Sequence, residues 1–301
     1  MQVYRVTSDG VVSNKAVKRA DFLNEFRNTP PALIGMEACG GSQHWAHELQ
    51  NLGHTVRLMP PKLVKPYVTG LKNDKNDARG IYTALVMGVR EVPVKSAAIR
   101  DLALLQTMRT KRQREKVAKI NHIRGILTEY GLVMGKSVNA FLAKAGSLIV
   151  ELKERADVSP YIVSELTALF HEVKEAMAKI KELETSIESI AKTLKQYELF
   201  RSAPGVGPIT AATMLVLLCN PEAFKNGREF AAYIGLAPKS TGSGGKNVVT
   251  HIPKKYECNN EVRALLVQCA HAICRGKHKS DWVSSILARK PKKSSHYCRC
   301  K

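Results

Sequence analysis

Ile162, Leu166, Leu169, Val173, Met177, Ile180, Leu183, Ile187, Ile190 and Leu194 recur at steps of three or four residues. No other feature of the sequence limits the fold so tightly. The spacing lays one apolar stripe along a single helix. Sustained over several heptads it reads as a coiled-coil seam, and at 1.5 Å per residue the helix spans on the order of 55 Å. A stripe of that length needs a partner helix. The candidates are a second long helix predicted at residues 100–130 and the same helix of another protomer. The pattern therefore predicts a helical middle domain at 96–200 and a homo-oligomer built through the seam.

The flanks read differently. Residues 1–95 alternate strand and helix patterns. Runs at 3–7 and 11–17 flank Ser8-Asp9-Gly10, and Asp-Gly between β-branched runs predicts a hairpin with a type I′ turn. A helix is predicted at 19–26, a buried strand at 32–36, a helix at 43–52, a strand at 54–59 and a helix at 74–87. This order predicts an α/β layer domain. Residues 201–290 read as a mainly helical unit, with helices at 209–218, 222–234 and 260–275 and a Gly-rich loop at 240–246. Residues 291–301 read as a basic, disordered tail; from His271 onward the sequence has nine Lys/Arg and one Asp.

Charge narrows the function. The 301 residues carry 47 Lys+Arg against 26 Asp+Glu, a formal net charge of +21, which calls for a polyanionic partner such as nucleic acid. Arg109, Lys111, Arg112, Arg114, Lys116, Lys119 and Arg124 are opposed only by Glu115 between 107 and 124. Such a stripe suits a phosphate backbone, and suits a solvated helix face equally well. No run reaches the roughly 18–20 apolar residues of a membrane helix. Seven scattered cysteines do not form a secreted disulfide framework, and no secretory signal opens the sequence. A soluble intracellular protein of about two domains is expected.

Three constellations could carry chemistry. Glu37 follows the apolar strand at 32–36, at the end where sites form in open α/β sheets. Asp74 and Asp77 lie three apart at a helix start and share a face. Together they fit Mg²⁺ or Mn²⁺, while acidic residues in a first helical turn also simply favour the helix dipole. Ser243 lies in Gly242-Ser243-Gly244-Gly245-Lys246, where glycine amides could approach an anion, Lys246 neutralise it and the serine attack it; a flexible linker has the same composition. Gly205 and Gly207, in Pro204-Gly205-Val206-Gly207-Pro208, resemble a helix-hairpin-helix element whose amides touch DNA phosphates. A tight helix–helix turn is the plainer alternative.

Motifs in order along the chain join these. They are Met36-Glu37-Ala38-Cys39-Gly40-Gly41 with Trp45-Ala46, Leu58-Met59-Pro60-Pro61, Val64-Lys65-Pro66-Tyr67, Lys72-Asn73-Asp74-Lys75-Asn76-Asp77-Ala78, Val92-Pro93-Val94-Lys95, Pro204 to Pro208, Gly235-Leu236-Ala237-Pro238 and Ser243 to Lys246. In this combination the sequence resembles the insertion sequence 110 family of transposases, also called bridge-RNA-guided recombinases, from about residue 2 to residue 293. The resemblance implies an RNase H-like (RuvC-like) N-terminal domain, a coiled coil and a C-terminal transposase domain. It implies an Asp-Glu-Asp-Asp set on Mg²⁺, a serine that bonds covalently to DNA, and a structured guide RNA. Glu37, Asp74, Asp77 and Ser243 match that set. The first aspartate and its strand have no counterpart here: Asp9 lies in the hairpin turn and Asp21 on the next helix. An impaired copy is therefore expected, with a changed C-terminus after Lys293. Lys246 and Arg263 are candidate phosphate clamps, with Arg109 and Arg112 as further nucleic-acid contacts. The rivals are a structure-selective RuvC-like nuclease and a non-catalytic DNA- or RNA-binding remnant.

Overall fold

The computed structural model describes residues 1–10, 12–243, 246–251, 253, 259–276 and 280–289, with the side chains of 239–241, 243 and 246–251 left aside. The chain divides into two compact units, Met1–Ser96 and Ala97–Lys301.

The first unit contains β1 (Gln2–Val6), β2 (Val12–Ala16), α1 (Asn24–Arg27), β3 (Leu33–Glu37), α2 (Ser42–Asn51), β4 (Thr55–Met59), α3 (Pro61–Val64) and α4 (Asp74–Val86). β1 and β2 form the expected antiparallel hairpin, with Val6 opposite Val12. Its turn is not type I′. Gly10 N–H bonds to the Thr7 carbonyl at 3.0 Å, so Ser8 and Asp9 are the central residues. Positive φ falls on Gly10 alone, at 82°, as in a type I turn followed by a left-handed glycine. The helix predicted at 19–26 breaks into a 3₁₀ turn at Arg19–Asp21 and the short α1, and both still deliver Phe22 and Phe26 to the core.

β3 and β4 pair in parallel, Glu37 opposite Met59. The two sheets remain separate, yet α4 packs on all four strands. Contact is close: a Cβ on Gly35 would lie 2.9 Å from Leu85, and one on Gly80 would lie 2.6 Å from Val68. Ladder geometry assigns the free edges. Met1 and Val17 exchange both backbone bonds, so alternation turns Gln2, Tyr4 and Val6 away from β2. Ala32 and Ala38 bond toward β4, which turns Leu33, Gly35 and Glu37 the other way. On the opposite face Val3, Val17, Phe22, Phe26, Ala46, Leu49, Val56 and Leu58 make the core. Buried His54 ties it together, taking the Ala32 N–H at 3.2 Å while its other ring nitrogen meets the Phe26 carbonyl at 3.1 Å.

The second unit contains α5 (Ala97–Glu129), α6 (Val138–Lys153), α7 (Pro160–Lys192), α8 (Tyr197–Arg201), α9 (Pro208–Leu217), α10 (Gly227–Tyr233), β5 (Lys239–Ser243), β6 (Lys246–His251), α11 (Asn260–Arg275) and α12 (Asp281–Arg289). α5 and α7 are each 33 residues long, about 50 Å. α7 starts where Ser159 caps it and Pro160 fills its first turn. Its stripe is covered within the chain. Leu166 and Val173 pack with Ile120, Ile123 and Leu127 of α5 and with Phe141, Ala145 and Ile149 of α6. Ile187 and Ala191 pack with Ile99 and Leu102 of α5 and Ala211, Ala212 and Leu215 of α9. The stripe thus needs no second protomer.

Three expectations change. α6 has no counterpart in the sequence reading. The Gly-rich stretch at 240–246 forms the antiparallel β5–β6 hairpin rather than a loop, although Gly244 and Gly245 lie outside the described residues. Of the basic segment from His271, the part up to Arg275 belongs to α11, and Asp281–Arg289 is α12; the tail expected at 291–301 lies outside the described residues. No helix among the described residues is long and apolar enough to cross a membrane.

Candidate active site and nucleic-acid interface

Glu37 is the last residue of β3 and is half-buried. The strand ends because the chain turns there: Ala38 N–H still reaches Met59 at 2.8 Å, but Cys39 N–H folds back onto the Glu37 carbonyl at 2.9 Å. Asp74 opens α4, exposed, and Asp77 lies one turn on, half-buried. Asn73 fixes this start. Its backbone is extended, its side chain takes the Asn76 N–H at 2.9 Å and its carbonyl takes the Asp77 N–H at 3.0 Å, satisfying amides that a helix N-terminus leaves open. The sequence reading passed over Asn73, although asparagine before a helical run is a recognisable capping signal.

Among the described residues none of the three carboxylates makes an ion pair. Oxygen-only carboxylates suit a hard divalent cation. The full set is not gathered, however: among the described residues no three His, Cys, Asp or Glu side chains are close enough to hold a metal. Asp9 stays in the hairpin turn, where a hydrogen bond from Thr7 holds its carboxyl below the usual range.

Most members of the cationic stripe have partners within the chain. Arg109, 16% exposed in its side chain, bonds Glu184 of α7 at 2.6 and 2.7 Å. Lys119 meets Glu172 and Arg114 meets Glu261, each at 2.5 Å, and Lys111 lies 3.9 Å from Glu115. Arg124 donates to the carbonyls of Gly135, Lys136 and Ser137 at 2.8–3.0 Å and lies over the Phe141 ring. Arg112, exposed, and Lys116, half-buried, make no ion pair among the described residues. The missing carboxylates were invisible in the 107–124 window because they sit on α7 and α11.

In the C-terminal part, Gly205 has φ +77°, and a Cβ there would lie 2.7 Å from the Cys269 carbonyl. Its need for glycine is the approach to α11. Gly207 caps α9 and has open space around it. Arg201, which the sequence reading did not single out, donates to the Val206 carbonyl and holds the turn. Ser243 ends β5 and Lys246 opens β6, paired in register across the hairpin. Arg263 is engaged inside the fold, bonding the Pro253 carbonyl at 2.5 Å and Asn260 at 2.7 Å, so its guanidinium is not a free clamp.

Two family models match the sequence. An IS110-type DEDD transposase model covers residues 4–132, and the model described as "Transposase IS116/IS110/IS902 family" covers 197–284. The chain is 34% identical to the "Probable family 20 transposase" of Pseudomonas aeruginosa over 291 residues, 93% of this chain and 84% of that one. It is 31% identical to the transposase for insertion sequence element IS1111A of Coxiella burnetii, covering 93% of this chain and 78% of the relative. The transposase for insertion sequence element IS1328 of Yersinia enterocolitica is 29% identical over 89% of this chain and 80% of its own length.

Proposed function

The chain belongs to the IS116/IS110/IS902 transposase family, and from that premise we propose that it recombines DNA with carboxylates on the first unit and a serine on the second. The observation that carries this is placement: Glu37 ends β3, and Asp74 and Asp77 share the first turn of α4, with none of the three in an ion pair among the described residues. Mg²⁺ is commonly bound through one or two carboxylates plus substrate phosphates, not by an all-protein cage. Asp74 and Asp77, one helical turn apart, would take Mg²⁺ or Mn²⁺ with Glu37 as a third carboxylate, and the bound ion supplies charge compensation at the scissile phosphate. The chain's own contributions are three. Asn73 fixes the rise of Asp74 and Asp77. The β5–β6 hairpin carries Ser243 as the nucleophile toward DNA phosphorus, with Lys246 beside it against the phosphate charge. Gly207 at the α9 start and exposed Arg112 contact the backbone. A structured guide RNA fits the same polyanion-binding surfaces.

We read the first unit as RNase H-like (RuvC-like). The parallel β3–β4 pair and the β1–β2 hairpin under one helix support this, and so do the unpaired edges of β1 and β3, which suit one further strand. A second reading, a nucleic-acid binder without catalysis, is favoured by the ungathered carboxylates.

The test is strand transfer on supercoiled DNA bearing the element's ends, with Mg²⁺ added. Asp77→Asn is expected to abolish transfer and keep DNA binding, and Ser243→Ala to abolish covalent protein–DNA adducts. Cut ends without adducts would favour a nuclease. Salt-sensitive binding with no transfer by the unaltered chain would favour the binder.

A further inference from the structure

We propose that Leu71 is an apolar wedge that enters the base stack of DNA held beside Asp74 and Asp77; this rests on the transposase reading above. Leu71 is 84% exposed, the most exposed large apolar side chain among the described residues. A single exposed leucine is ordinary. This one is held out by construction. Its loop is pinned to α4 at successive points. Val68 lies against Gly80, so closely that a Cβ on that glycine would meet its backbone at 3.0 Å. Arg79 donates to the Thr69 hydroxyl at 2.8 Å. Gly70 turns the chain at φ +86°, and Asn76 donates to the Leu71 carbonyl at 2.7 Å while its own N–H is taken by Asn73. A loop fastened on both sides of Leu71 cannot fold the side chain back onto α4. It presents an apolar tip three residues before Asp74, with exposed Lys72 and Lys75 beside it.

This combination fits one occupant. A protein groove would bury the leucine but would leave Lys72, Lys75 and the unpaired aspartates facing apolar surface. A DNA duplex offers phosphates for the lysines and a base step for the leucine. Apolar side chains are used in this way to unstack and kink a duplex. Beside a cutting site, the kink would open the strand at the phosphate to be attacked.

Salt dependence separates an apolar contact from an ionic one. The experiment uses the full chain and a mixed-sequence duplex several turns long, with 2-aminopurine at spaced steps to report unstacking. Leu71→Ala is expected to weaken binding about tenfold at every salt concentration, as removing a buried leucine would. The salt slope should stay unchanged and the rise in 2-aminopurine fluorescence should disappear. Lys72→Ala is expected to lower the slope by about 1. Thermal unfolding of both variants should match the parent. The wedge is overturned if Leu71→Ala binds within twofold of the parent and keeps the fluorescence rise. It is equally overturned if the variant loses only self-association, which would assign the leucine to a protein contact. If strand transfer proceeds in both proteins while these signals stay unchanged, the wedge fails and the transposase reading stands. If the parent chain binds no DNA, both fall together.

Discussion

The candidate charges of the two units keep different company. On α5 three of the eight Lys/Arg side chains are answered by carboxylates from other helices: Arg109 by Glu184, Lys119 by Glu172, Arg114 by Glu261. In the first unit Glu37, Asp74 and Asp77 go unanswered. Charge that is paired across helices helps to fix their register, though exposed pairs contribute only about 0–1 kcal/mol each. Charge left unpaired is available to a ligand. The net value of +21 therefore says little about where nucleic acid touches this chain. The architecture divides the same way. The second unit rests on long helices that pack across large sequence separations, as α5 does on α7, and the first on short strands drawn together by one later helix.

The comparison breaks first in the helical core. Phe141 is fully buried where α5, α6 and α7 meet, so Phe141→Ala should cost about 3–5 kcal/mol in chemical denaturation. A much smaller loss would mean that the helices are not held by one shared core. Next comes Gly205→Ala, which forces a side chain into positive φ against the α11 backbone. A loss of about 1–3 kcal/mol is expected, with faster hydrogen exchange in α11; an unchanged midpoint would return that glycine to a purely DNA-contacting role. The smallest effects sharpen the charge contrast. A double-mutant cycle on Arg109 and Glu184 should give a coupling of about 1 kcal/mol with the DNA salt slope intact. Arg112→Ala should leave stability alone and lower the slope by about 1. A reversal of those two outcomes would put the phosphate contact on Arg109.

What could be read from the sequence followed from period and locality. α5, α7 and α11 stand close to where the 3.6-residue pattern puts them, because a helix writes its buried face into its own sequence. α6 was missed although Phe141, Ala145, Ile149 and Leu152 keep the helical spacing. β5 was missed because Gly, Ser and Lys read as loop, and β6 although Val248, Val249 and Thr250 favour a strand. The site shows the same division. The positions of Glu37, Asp74 and Asp77 at element ends were legible, while Ser243, read as part of a loop, ends β5. The occupation of Arg109 and Arg263 was not, since their partners depend on tertiary packing.

The single helix under two sheets also has a consequence for synthesis. An isolated two-stranded hairpin is at best marginally stable, and both sheets here wait for α4, which ends at Val86. At ribosomal rates of about 5–20 residues per second the β1–β2 hairpin is made several seconds before the helix that secures it. During that interval its unpaired edge is open to any other strand nearby. The nascent chain is thus most exposed to chaperones, and to a neighbouring copy on the same polysome, while its first unit is half made.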